Sequence, residues 1–163
     1  MKQVSLVLIV SLMLLAPAAC GGGNGESVKG LYIEKGDAIC RSFRDEHGDQ
    51  EEELARIAES GDFEIPAQET RFSGLLGKLV VAGQEEGKEI KALEPPGGDQ
   101  DIVDRWLEGA ERANALFGEA NEALEAGELS EFVRLFKEGA DLSQASHAAA
   151  QGYGFEICGN EAP

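Results

Sequence analysis

The sequence predicts an all-α protein, an up-down-up-down four-helix bundle with a C-terminal tail linked by a disulfide to helix one. Three observations carry that expectation. Apolar residues recur at three- and four-residue steps through four successive stretches after Ser27. Short breaks rich in Gly and Pro separate the stretches, and short connections make sequential helices antiparallel neighbours. No segment alternates apolar and polar residues with the two-residue period of a strand.

The first stretch carries Tyr32, Gly36, Ile39, Phe43, His47, Gln50, Leu54 and Ile57 on one face. Its middle is polar, and Gly48 is a candidate kink or break. Ser60-Gly61-Asp62 ends it, and Pro66 suits the opening turn of the next helix, expected over about 67–93 with Phe72, Leu76, Leu79 and Ile90 inward. Glu94-Pro95-Pro96-Gly97-Gly98 is a hard stop, because proline disfavours helix in the residue before it. Asp99 is the expected N-cap of a third helix with Val103, Trp106, Leu107, Ala113, Phe117 and Leu124 on its apolar face. Gly127 is the expected C-terminal cap, and Ser130 the expected N-cap of a fourth helix bearing Phe132, Leu135, Phe136, Leu142 and Ala149. Six glycines (Gly74, Gly77, Gly87, Gly109, Gly118, Gly139) fall inside these helices, each costing about 0.8–1 kcal/mol relative to Ala unless it permits a close contact.

The topology returns the fourth helix beside the start of the first. Cys40 lies two to three turns into helix one, and Cys158 follows helix four by a few residues. A tail folding back from Gly152-Tyr153-Gly154-Phe155 brings Cys158 onto Cys40. The third cysteine, Cys20, sits at the junction of an apolar leader and a glycine run, and an odd cysteine count requires a separate role for it.

Lys2, an apolar run from Val4 to Leu15 and small residues at Ala16, Ala18 and Ala19 follow the order of a secretory signal. Twelve residues of helix span about 18 Å, well short of the roughly 30 Å hydrocarbon core. The stretch Ala18-Ala19-Cys20-Gly21 resembles the lipobox of bacterial lipoproteins, in which the signal is cut before a Cys that carries a diacylglyceryl thioether. Pro17 departs from the Leu usual in that family, and Ala16-Pro17-Ala18 is itself an A-x-A site, so cleavage after Ala18 stands as the alternative. Residues 21–27, Gly-Gly-Gly-Asn-Gly-Glu-Ser, read as a flexible tether. The expected organisation is a signal peptide over 1–19, a lipid-anchor Cys20 with tether over 20–27, and a helical domain over 28–163.

Charge narrows the partners. The chain carries 31 Asp and Glu against 14 Lys and Arg, a formal net charge of −17. Such a chain repels phosphate backbones, which argues against nucleic acid, and attracts cationic proteins, peptides or metal ions. Chemistry is harder to find. Neither His47 nor His147 has a Glu three residues earlier, so the Glu-x-x-His motif of di-iron bundles is missing twice. His47 and Glu51, with Asp45, Glu46 and Asp49 around them, read as a solvated acidic face rather than a metal site. Asp99-Gln100-Asp101 departs from the EF-hand pattern after two ligands and reads as helix capping. There is no Cys-x-x-Cys, no nucleophile elbow and no phosphate loop. Trp106, Phe117, Phe132 and Phe136 read as core. The expectation is no catalytic residue, no metal ligand and no cofactor.

The stretches YIEKGDAIC, PPGGDQDIVDRWL and YGFEICG together resemble small helical lipoproteins of unknown function of actinobacterial type. That resemblance implies an exported, surface-tethered bundle with a Cys40–Cys158 link and supplies no catalytic residues. The expected role is a non-enzymatic envelope interaction module on the outer face of the cytoplasmic membrane, held there by its lipid anchor. Its expected partner is a cationic envelope protein or peptide. The alternatives are a small-ligand or cation-binding carrier, and a secreted soluble form.

Overall fold

The computed structural model describes residues 27–60 and 65–160, and within them every regular element is a helix. In chain order these are α1 (Val28–Ser60), α2 (Pro66–Lys91), α3 (Gln100–Glu125) and α4 (Leu129–Tyr153). Among the described residues, no helix is long and apolar enough to cross a membrane. Cys20 and the leader lie outside the described residues, as does the Gly61-Asp62 part of the first break.

The up-down-up-down order is visible in how the core divides. One apolar cluster joins Tyr32 and Cys40 of α1, Ile90 of α2, Val103, Trp106 and Leu107 of α3, and Ala150 and Tyr153 of α4. A second joins Ile57, Phe72 with Leu76, Leu116 through Leu124, and Phe132 with Leu135. Each cluster therefore takes opposite ends of successive helices, as antiparallel neighbours must. The contact between α3 and α4 is the most extensive of the helix pairs among the described residues. A methyl group on Gly109 would stand 2.8 Å from the Ser146 hydroxyl, so any larger residue there would force that hydroxyl to turn away.

Helix boundaries follow local chemistry with three departures from expectation. Gly48 neither breaks nor ends α1, which runs unbroken for 33 residues; packing against α2 outweighs the modest cost of one glycine. Asp99 occupies the N-cap position of α3 but makes no side-chain cap bond. Its carboxylate instead accepts the Tyr153 hydroxyl at 2.8 Å, so a tertiary bond displaces the local one. Ser130 does not cap α4, whose helix already includes Leu129 and whose cap position is Glu128. The reason lies one turn earlier, where Gly127 takes φ +75°. The Glu128 N–H then reaches back to the Ala123 carbonyl at 2.8 Å and the Gly127 N–H to Leu124 at 2.9 Å. That pair of bonds is a Schellman turn, and it delivers the chain into α4 directly.

The α1–α4 seam is closed differently from the others. No Cα atom of α1 comes within 8 Å of one in α4. The gap is filled by side chains and by the tail. Gly154, at φ +123°, turns the chain back, and the ring of Phe155, 1 % exposed, enters between α1, α3 and α4. It packs against Trp106 at 4.7 Å, Tyr153 at 5.6 Å and Tyr32 at 5.8 Å between centroids. A methyl on Gly36 would lie 2.5 Å from that ring, so the α1 glycine makes the room it occupies.

Candidate functional site

Position on α1 is set first by the tail. Cys40 and Cys158 form the disulfide expected from the topology, closing 118 residues. One turn before Cys40 stands Asp37, a carboxylate only 7 % exposed. Its oxygens accept three successive backbone N–H groups, from Glu156 at 2.9 Å, Ile157 at 2.8 Å and Cys158 at 3.0 Å. One turn after Cys40, Arg44 donates to the carbonyls of Ile157 and Asn160, both at 3.0 Å. Asp37, Cys40 and Arg44 thus form one stripe at three- and four-residue spacing, and the tail lies along it. The segments 32–40, 103–107 and 153–158 meet at this end of the bundle.

Flanking Arg44, from Ile39 to His47, α1 borders an open groove of about 600 Å³ whose other walls are α2 and the Asn121–Glu125 turn of α3. Ile39 and Phe43 of α1 and Val81 and Ala82 of α2 give it an apolar lining. Gly74 and Gly77 keep the α2 side low; a methyl group on Gly74 would meet no atom within 4 Å. Five carboxylates line the groove, Glu46, Glu85, Glu86, Glu89 and Glu125, against the single cation Lys78. His47 reaches it as well, with its ring 5.0 Å from that of Phe43.

The acidic run of α1 therefore divides in two. Asp45, Glu46 and Asp49 are solvent-exposed as expected, whereas His47 and Glu51 turn inward toward α2. Burial pushes the Glu51 carboxyl above its ordinary value, with Arg44 and His47 partly offsetting it. Glu86 is pushed up to about 7, first by burial and next by the neighbouring charge of Glu51, with Arg44 opposing and Glu89 adding to the rise. The buried His47 Nδ1 and Gln50 Oε1 atoms have no hydrogen-bond partner among the described residues. No group of three His, Cys, Asp or Glu side chains is arranged to hold a metal ion among those residues.

A pH dependence follows. The Glu86 carboxyl binds its proton more tightly folded, near 7, than unfolded, near 4.5. Its burden on stability is absent below about pH 4.5, grows as pH rises, and is complete above about 7. Replacing Glu86 by Gln is expected to raise the unfolding free energy at pH 8 by roughly 2–3 kcal/mol and to leave it nearly unchanged at pH 4.5. Urea unfolding midpoints at the two pH values read the difference directly.

Sequence reasoning placed Cys40, Cys158, Trp106 and the phenylalanines correctly but missed Asp37, Arg44 and Glu86. The first two carried a signal: they share the helical stripe of Cys40. Glu86 carried none, because one acid among 31 gains meaning only from what packs beside it. Searches with family models, curated proteins and solved structures return no match to this chain.

Proposed function

We propose that the chain is exported, acylated at Cys20 and held at the outer face of the cytoplasmic membrane as a small helical lipoprotein. There it works as a non-catalytic interaction module whose α1–α2 groove binds a cationic, amphipathic segment of an envelope protein or peptide. The groove's composition carries this reading. An apolar lining under five carboxylates and one lysine suits a segment with a Lys- or Arg-rich edge and an apolar edge. The disulfide is consistent with an oxidising compartment. A groove this open and this charged favours a partner's surface over an enclosed small molecule.

The test is titration of the protein with a fluorescent amphipathic peptide rich in lysine, beside a control in which glutamates replace the lysines. The lysine peptide is expected to bind, with affinity falling as salt rises. The combined change of Glu46, Glu85 and Glu89 to Gln is expected to weaken it by about tenfold or more. Equal binding of both peptides, or an unmoved affinity in the triple variant, rejects the groove. Saturable uptake of a divalent cation without peptide binding transfers the role to the carrier alternative.

A further inference from the structure

A lining of the opposite electrostatic character occurs locally at the end of the bundle where α1 begins. A shallow pocket of about 400 Å³ opens there between the first turns of α1 and α3 and the last turns of α4. Lys29 and Arg105 line it together with Ile102, Trp106 and Tyr153, and no carboxylate does. In a chain with 31 acids and 14 bases that is a local inversion of sign. The Lys29 ammonium lies 3.9 Å from the centroid of the Tyr153 ring. Arg105 makes no ion pair among the described residues. Of the acids at the start of α3, Asp99 accepts the Tyr153 hydroxyl and Asp104 the Gln100 amide, while Asp101 is exposed. Because Asp99 is so engaged, the α3 N-terminus has no side-chain cap. Apolar side chains stand exposed at the same end: Val28 at 69 %, Leu31 at 40 % and Ile102 at 46 %.

The position of Cys20 in the sequence gives this end its occupant. Residues 21–27 separate Val28 from Cys20, and seven residues of any chain span at most about 25 Å. The 33 residues of α1 extend about 50 Å. A bilayer holding the acyl chains therefore stays within reach of this end and out of reach of the other. We propose that the start of the bundle is a bilayer-docking surface. A phospholipid phosphate sits between Lys29 and Arg105, and Val28, Leu31 and Ile102 enter the interface. The inference rests on the anchor proposed for Cys20. It also orients the molecule, with the acidic groove along α1 and α2 directed away from the like-charged bilayer surface.

The acylated full chain reconstituted in phosphatidylglycerol–phosphatidylcholine vesicles tests it, using a phospholipid that carries a photoactivatable group near its glycerol. Mass spectrometry of the digest is expected to find crosslinked lipid on residues 28–31 and 102–106. The double variant Lys29→Glu, Arg105→Glu is expected to lower that yield by about tenfold or more. Both positions are exposed, and an unchanged circular dichroism spectrum verifies the variant's fold. Labelling spread evenly over the four helices, or a yield the variant does not change, overturns the docking surface. Loss of labelling on adding excess inorganic phosphate also overturns it, in favour of a free-anion site. The same digest reports Cys20: a peptide lacking the diacylglyceryl mass refutes the anchor, independently of where lipid crosslinks fall.

Discussion

Replacing Cys40 and Cys158 together by serine is expected to lower the unfolding free energy by about 4–5 kcal/mol, as the chain-entropy model gives for a closed loop of 118 residues. Both cysteines are buried, at 8 % and 7 % exposure, so two hydroxyls would also enter an apolar cluster. The loss should appear mainly through a freer unfolded chain. The folded variant should therefore keep its helical circular dichroism while its urea midpoint falls. Hydrogen exchange should show which part loosens first. The tail and the start of α1 should lose protection, while α3 and α4, joined closely at Gly109 and Gly139, should keep it.

The second large effect belongs to Asp37. Changing it to Ala is expected to destabilise the fold by about 3–5 kcal/mol, because three donors of the tail lose a charged acceptor inside a largely dry site. Asp37→Asn keeps one acceptor oxygen and the shape, and its expected cost is smaller, about 1.5–3 kcal/mol. Chemical denaturation of the two variants checks the order. Asp37 and the disulfide hold the same stretch, Glu156 to Cys158, against the same helix, so their effects should not add. Once the cystine is gone the tail can leave α1 and hydrate its own N–H groups, and the further change of Asp37 then costs less. A double-mutant cycle with full additivity would contradict the picture of one tail held by two devices.

These two devices also mark what a sequence reveals. The four helices and their antiparallel order follow from apolar periodicity and from the breaks at Glu94–Gly98 and Gly127, because burial dominates the energetics and leaves a regular trace. The cystine was legible for the same reason, once the helices were placed. Asp99 was misread because its type and position suit a cap, and nothing local announces that a tyrosine 54 residues later takes its carboxylate. Asp37 and Glu51 were illegible in a different way. Acids on a helix are mostly solvated; Asp37 became buried, and Glu51 half-buried, only when another segment, the tail for one and α2 for the other, packed against it. The groove is likewise a property of α1, α2 and α3 together, not of any one stretch.

The span of the cystine has a consequence in time. Synthesis makes Cys40 118 residues before its partner exists. Until the tail has folded back, Cys40 lacks the partner that seats it. During that wait the nearer thiol is Cys20, only 20 residues away. Closing that short loop is entropically easier than closing the long one by about 1.6 kcal/mol. A Cys20 sulfur already carried in a thioether is out of this competition. The acylation proposed for Cys20 would therefore do more than moor the protein: it would remove the rival thiol nearest to Cys40.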